Sequence, residues 1–478
     1  MNAFAAEPAD ILASLRELRE RDAPTHGGRV LSYVYDPGLA ELDELAADAA
    51  RLMQPVNGLD PTTFGSVAAL ERELVGFVRD LLHGTDDVVG TATSGGTESC
   101  LLAVKTARDA WVAAGGTGTP RLVLPATAHA AFQKAAHYFG LTLDLVPVSA
   151  DGVVAVSDLE ARLGDDVALV VVSAPSYPVA VLDPVEEVAA LTAARGIPLH
   201  VDACIGGLVL PFWPRLPAWD FAVPGVTSMS ADLHKYGYAP KGVSVLLQRG
   251  RDRQRLQYFA TTRWPGYPVV NPTILGSKSA GPLAAAWAIT RALGTDGFQR
   301  LADSTRRSTE AIVAAIGSIE GLRVVGEPVG PLLAVASDPR AGVDGRVDPH
   351  HWADAVRGLG FVLQLQPASG DIPPTTHLTM TPVTESVLPE LLGALRAGAD
   401  AVRGVPHVDA APLLASLPPL DGALDSDTAA AILQGFGIGA GGALPSALAP
   451  LLAIIEVTPP PLAERLLTEL LARLVEPA

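Results

Sequence analysis

Cysteine, lysine and aromatic side chains are all scarce in this 478-residue chain. Its two cysteines, Cys100 and Cys204, allow no disulfide framework and form no CxxC metal or redox motif. A reducing, cytoplasmic setting without a metal centre is therefore expected. Charged residues make up only 18%, which points to a compact, core-rich globule and excludes a disordered chain. Positive charge is the scarcer sign: 34 basic against 52 acidic residues leave a net charge of −18. Such a surface repels phosphate backbones and anionic lipids, so neither nucleic acid nor a membrane surface is an expected partner. The amino terminus carries acids early and lacks an apolar core segment, which argues against a secretory signal. Residues 428–455 carry no charge, but Gly435, Gly437, Gly439, Gly441, Gly442, Pro445 and Pro450 interrupt them. That density of breakers predicts loops and short buried helices and no membrane span.

The length is enough for about three domains and a large core. Residues 1–87 read as a helical amino-terminal segment, with Ile11, Leu15 and Leu18 on one helical face and a second amphipathic run over 39–53. From residue 88 the pattern changes to short apolar strands alternating with helices. The candidates are 88–93, 121–125, 143–148, 167–173, 198–202, 226–230 and 243–248. Near-continuous apolar, β-branched strands are expected where helices cover both faces of a sheet. The fold class is thus α/β, with a seven-stranded, mostly parallel sheet in a large domain over 88–282. A smaller α+β domain over 283–404 and a Pro-rich helical extension over 405–478 complete the reading.

Four groups at strand ends carry chemistry. Lysine occurs only five times, against 29 arginines, and Lys235 stands just past a buried strand beside His234. An amine is what Schiff-base chemistry requires, and arginine cannot replace it. Residues 93–99, TSGGTES, join a strand to a helix. A Gly-Gly turn opening a helix exposes N–H groups to an anion, with Ser94 and Thr97 adding hydroxyl donors. Asp202 closes the strand 198–202 at the sheet edge where α/β ligand sites form. His129 follows the strand 121–125 at a helix start, where an imidazole can stack on an aromatic ring. Taken singly, each has a structural reading: an ordinary lysine, a capping turn, a strand-end cap, a half-exposed histidine. His200 is expected to be a packed, hydrogen-bonded core residue, and Cys204 a small packed one. Together, in this order in one α/β domain, the four supply what pyridoxal 5′-phosphate needs: a phosphate cradle, a stacking ring, a pyridinium partner and a Schiff-base amine.

The same runs resemble the fold-type-I pyridoxal-phosphate enzymes of the group II decarboxylase branch, and within it the sphingosine-1-phosphate lyases. The matching runs are 93–99 (TSGGTES), 129–140 (HAAFQKAAHYFG), 200–207 (HVDACIGG) and 228–242 (SMSADLHKYGYAPKG), with a weaker match over 272–277. The resemblance implies that Lys235 forms the Schiff base, Asp202 pairs with the pyridinium and His129 stacks on the ring. It further implies that Ser94, Gly95, Gly96, Thr97 and His234 hold the cofactor phosphate. Ser277 would arrive from the second subunit of a homodimer with a shared active site. Tyr35, Asn57, Tyr177 and Lys241 match positions on the substrate side, where Lys241 would help to hold a substrate phosphate.

The chain departs from the lyase pattern at several of those positions. Asn57-Gly58-Leu59-Asp60 stands where the lyases show Asn-Pro-Leu-His, so a potential cation becomes the acid Asp60. Val179, Val269 and Lys278 replace a His, a Tyr and an Arg of the family. An acid near a substrate phosphate opposes its binding. The resemblance implies a lyase that cleaves a 2-amino alcohol, phosphorylated or not, by a retro-aldol route to an aldehyde and an amine. The alternatives are an amino-acid decarboxylase, for which Asp60 suits a cationic side chain, and a non-catalytic scaffold of the same fold.

Overall fold

The computed structural model describes residues 5–412, 424–435 and 447–477. Seven strands build the main sheet: β1 (Val88–Thr93), β2 (Arg121–Pro125), β3 (Thr142–Val146), β4 (Val167–Ser173), β5 (Leu199–Asp202), β6 (Val226–Ala231) and β7 (Ser244–Arg249), in the order β1-β7-β6-β5-β4-β2-β3. Alternation along the strands explains their apolar composition. Leu122 and Leu124 of β2, with Leu169 and Val171 of β4, pack with Phe132 and Val104 on one face. Val123, Val170 and Val172 face the opposite core with Val185 and Val188. Each such Val or Leu, fully buried, contributes roughly 1.5–3 kcal/mol.

Strand direction positions the site. β2 to β6 are mutually parallel, and β7 is antiparallel to both β6 and β1. β1 therefore runs with β6, and the carboxyl ends of β1 to β6 open on a single edge. The loops carrying Ser94, His129, Tyr177, Asp202 and Lys235 all leave from that edge.

A hairpin of β8 (Phe259–Thr261) and β9 (Val269–Asn271), which the sequence pattern did not single out, follows the large sheet. The helix Gly281–Gly317 then connects the two cores, bending at Gly294, where φ is 53°. Its Ile289 and Leu301 pack in the large core, while Ile312 and Ile316 belong to the small one. The small sheet, ordered β10-β11-β13-β12, comprises β10 (Leu322–Val324), β11 (Leu332–Ser337), β12 (Gln364–Gln366) and β13 (Thr375–Thr379), all antiparallel. The amino-terminal segment is more than helical: Leu31 N donates to Val362 O at 2.9 Å and Thr379 N to Leu31 O at 2.8 Å, fastening it to this sheet.

In the carboxyl-terminal extension the described elements are the helices Ser426–Gly435, Ala449–Val457 and Pro460–Leu474. Gly437, Gly439, Gly441, Gly442 and Pro445 of the uncharged run lie outside the described residues. Among the described residues no helix is long and apolar enough to cross a membrane.

Candidate active site

The glycine turn opens the 18-residue helix Gly96–Ala113 directly after β1. Gly95 adopts φ 156°, and a Cβ there would stand 3.3 Å from the imidazole of His234. A Cβ on Gly96 would come within 2.6 Å of Asp232 Oδ2 and 2.9 Å of Cys204 Sγ. Only glycine leaves this space open. Thr97 is exposed at the mouth of the turn, whereas Glu98 is buried. Glu98 Oε2 accepts from Ser94 N at 2.5 Å, and its Oε1 accepts from Ile274 N at 2.6 Å. The cradle is thereby tied to the loop that carries Ser277.

Asp202, at the end of β5, is buried. Cys204 N and Ser230 Oγ both donate to its Oδ1 at 3.1 Å, leaving Oδ2 outside these bonds. Burial pushes its carboxyl up, but His129, Cys204, His200 and Lys235 outweigh that and hold it below the usual carboxylate range. His200 lies one strand-turn deeper, bonded to Ser228 Oγ at 2.9 Å and Ser230 Oγ at 3.2 Å. Burial lowers its pKa to about 4, so it is the neutral core residue expected from the sequence. Cys204 is buried and packed, also as expected. His129 is exposed at the same edge, with Nδ1 accepting from Ala131 N at 3.2 Å.

Lys235 follows β6. Its Nζ lies 3.0 Å from Oδ2 of Asp232, a buried carboxylate whose Oδ1 accepts from Ser244 Oγ at 2.6 Å. Burial alone would depress the amine, but Asp232, Cys204, Tyr35 and Asp202 together raise its pKa well above the ordinary value. His234 donates Nδ1–H to Val243 O at 2.9 Å, and its Nε2 stands 3.6 Å from Asp232 Oδ2.

Three of the residues expected on the substrate side gather beside Lys235. The Tyr35 ring meets Tyr236 edge-on at 5.3 Å and lies under the Lys241 ammonium at 4.6 Å. Burial pushes the Tyr35 phenol up to about 12. Burial and the charge of Lys235 bring Lys241 down to about 8. Tyr177 hydrogen-bonds to Gln364 Oε1 at 2.5 Å and stacks on His377 at 4.4 Å. Asn57 and Ser277 form a separate pair, joined at 3.5 Å. Asp60 serves its own turn, accepting from the Thr62 and Thr63 hydroxyls at 2.5 and 2.7 Å, which lowers its pKa to about 2.

Pyridoxal 5′-phosphate fits this donor set. The glycine space, helix start and His234 suit a phosphate, ionised Asp202 suits a ring cation, and Lys235 supplies the amine. Motif reading missed Asp232, Glu98, Gln364 and His377. Asp232 stood inside the matched run 228–242, so its spacing of three residues before Lys235 was the available signal.

Residues 37–334, more than half of the chain, match the pyridoxal-dependent decarboxylase conserved domain. Residues 409–473 match a pyridoxal-dependent enzyme C-terminal putative HTH domain. The sphingosine-1-phosphate lyase of Dictyostelium discoideum is 39% identical over 308 residues, covering 63% of this chain and 58% of that protein. Sphingosine-1-phosphate lyase 1 of Mus musculus is 37% identical over 335 residues, covering 69% and 59%. The chain thus spans just under three fifths of the length of these two relatives. Among solved structures, a Burkholderia pseudomallei sphingosine-1-phosphate lyase superposes with a TM-score of 0.78 at 32% identity, covering 84% of this chain and 92% of that one. A Lactobacillus brevis glutamate decarboxylase, at 20% identity and TM-score 0.74 over 85% and 95%, shares the fold. The domain match, reinforced by these likenesses, shows that the chain belongs to the pyridoxal-dependent decarboxylase family, with pyridoxal 5′-phosphate as its cofactor.

Proposed function

We propose that this protein is a carbon–carbon lyase that cleaves a 2-amino alcohol to an aldehyde and an amine. The observation that carries the reading is the convergence of ionised Asp202, the Lys235–Asp232 pair and the glycine cradle on one sheet edge beside Tyr35, Tyr177 and Lys241. Its likeness to sphingosine-1-phosphate lyases supports this activity over decarboxylation.

In this reading Lys235 would hold the cofactor through Nζ, and Ser94, Gly95, Gly96, Thr97 and His234 would bind its phosphate. His129 would stack on the ring, and Asp202 would keep the ring nitrogen protonated. The bound cofactor supplies an electron sink for the carbanion left by bond cleavage. Neutral His200 backs Asp202 without competing for that proton. A base must take the substrate hydroxyl proton as the carbon–carbon bond breaks. Lys241, with a pKa of about 8, exchanges a proton near neutral pH: its neutral form can take that proton from an unphosphorylated substrate, and its cationic form instead pairs with a substrate phosphate. The Tyr35 and Tyr177 phenols stay neutral and position the substrate.

A homodimer belongs to the same reading. The helix Pro8–Arg19 buries none of its residues, and Phe259, Trp264, Tyr267 and Val270 of the β8–β9 hairpin are exposed. A second copy would cover these apolar faces and bring in Ser277. A cytoplasmic location accords with the two free, buried cysteines.

Mass spectrometry of products from dihydrosphingosine 1-phosphate tests the activity. Fatty aldehyde together with phosphoethanolamine is the expected result. Their absence from cofactor-loaded protein would refute the phosphorylated amino alcohol as substrate.

A further inference from the structure

In the polar chain Tyr33–Gln364–Tyr177 only Tyr177 matches a family position; Tyr33 and Gln364 lie outside every matched run. This polar chain joins three regions distant in sequence: the amino-terminal segment, the small sheet and the loop after β4. Gln364 of β12 and His377 of β13 are direct cross-strand partners, so their side chains emerge on one face. Both meet Tyr177, His377 through ring stacking at 4.4 Å and Gln364 through its amide oxygen at 2.5 Å. The other end of that amide, Nε2, donates to the Tyr33 hydroxyl at 2.6 Å.

Tyr33 is held in an uncommon conformation. Its φ is +61°, and Val34 N donates to Ser32 O at 2.8 Å across it, closing a γ-turn of the strained, positive-φ form. With 65% of its surface exposed, burial does not hold Tyr33 there. Its hydroxyl accepts from Gln364 while buried Leu31 and Ser32 anchor the chain before it, and the same turn sends Tyr35, two residues on, under Lys241.

The chain of bonds has a direction. Tyr177 gives its proton to Gln364, which gives one of its own to Tyr33. A phenol whose single proton is committed can offer a ligand only its oxygen lone pairs. Burial, Tyr35 and Tyr33 raise the Tyr177 pKa, so the hydroxyl remains protonated and in this role throughout the working range.

We propose that Gln364 and Tyr33 are positioning residues that commit the Tyr177 proton, making Tyr177 a hydrogen-bond acceptor specific for a hydroxyl on the substrate carbon to be cleaved. The inference rests on the lyase reading above and deepens it: a donor is recognised at this position, and an acceptor-only group is rejected. Retro-aldol cleavage needs that hydroxyl, whereas decarboxylation does not.

Paired probes isolate the effect. Dihydrosphingosine carries a hydroxyl at carbon 3 and 3-ketodihydrosphingosine a carbonyl, with the same head and tail. Dissociation constants come from the change in the cofactor absorbance band, read before turnover by stopped flow. The unmodified holoenzyme should prefer the hydroxyl form, and Gln364→Leu should reduce that preference about tenfold, the effect of one hydrogen bond. Gln364→Glu, which keeps an acceptor for Tyr177, should restore it. Tyr33→Phe should reduce it several-fold, but have no effect when Tyr177→Phe is already present. A purely structural role would weaken both probes alike, so an unchanged ratio in Gln364→Leu overturns the proposal. If neither probe, nor dihydrosphingosine 1-phosphate, perturbs an intact cofactor band in the unmodified enzyme, the lyase reading itself fails and takes this inference with it.

Discussion

Lys235 Nζ, half-buried, and the buried Asp232 Oδ2 form an ion pair at 3.0 Å, three residues apart just past the end of β6. Asp232 is the strongest of the groups that raise the Lys235 pKa, so the free enzyme holds this amine as an ammonium ion. Only the neutral amine is nucleophilic, and each unit by which its pKa falls raises the neutral fraction at pH 7 about tenfold. Asp232→Asn should therefore speed the loading of pyridoxal phosphate onto the apoprotein at neutral pH, followed by the growth of its absorbance band. Removing a negative charge near the phosphate cradle acts in the same direction. A loading rate equal to or slower than wild type in a folded variant would contradict this role.

Lys235 and Asp202 are distinguishable by substitution. Lys235→Ala should abolish the protein-bound visible band and nearly all turnover. Borohydride reduction of the unmodified enzyme should leave the pyridoxyl group on the peptide containing Lys235, and recovery on another lysine would refute the assignment. Asp202→Asn retains an oxygen for Cys204 N and Ser230 Oγ but loses the charge proposed to pair with the ring nitrogen. Cofactor binding should survive while turnover falls about 10²–10³-fold, as when one preorganised electrostatic partner is lost. Near-normal turnover would remove Asp202 from the mechanism.

The residues legible in the sequence share one property: each lies in a short run at a strand end, where local chemistry and position are visible together. Ser94–Gly96, His129, Asp202 and Lys235 are of this kind, and so are the seven strands, whose apolar runs reflect cover on both faces. Glu98, Gln364 and Tyr33 were not legible because their roles are set by partners far along the chain. Glu98 bonds to Ile274, 176 residues away, and Gln364 to Tyr33, 331 residues away. Pattern reading also placed Asp60 on the substrate side by its neighbours in sequence. The Thr62 and Thr63 hydroxyls that occupy its carboxylate belong to a local turn, and only the structure shows the bonds.

Lys241 gives the enzyme a pH limit. Its pKa is lowered from 10.5 to about 8 by burial and by Lys235, so it is cationic below pH 8 and neutral above. If it pairs with a substrate phosphate, KM for dihydrosphingosine 1-phosphate should rise as pH passes 8, and KM for unphosphorylated dihydrosphingosine should not. Lys241→Gln should raise KM for the phosphorylated compound at pH 7 and abolish that rise. The stability effect has the opposite sign. Between pH 8 and the unfolded pKa of about 10.4 the unfolded chain binds more protons at this site, so the Lys241 contribution favours the native state increasingly with pH. A KM profile that is flat through pH 8 for both compounds would exclude the phosphate role.

His407 clasps the carboxyl-terminal extension to the small domain. Its Nδ1 lies 2.7 Å from Asp348 Oδ2 and its Nε2 2.8 Å from Glu456 Oε2. Asp348 caps the helix Pro349–Gly358, and Glu456 belongs to the helix Ala449–Val457 and also accepts from Ala368 N at 2.9 Å. Burial alone would lower the imidazole, but the two carboxylates outweigh it and raise its pKa above 6.5. For a group raised on folding, the stabilisation is fully present below the unfolded pKa and is lost as pH rises through the folded one. The clasp should therefore be tight at pH 6 and weaken through and above neutrality. Hydrogen exchange at the amides of 449–457 should accelerate over that range by more than the intrinsic rise with pH. His407→Gln, which can bond but not charge, should exchange faster than wild type at pH 6 and lose this extra dependence. Equal protection of wild type and variant at pH 6 would show that the apolar contacts of Ala453 and Ile454 hold this helix without the charge.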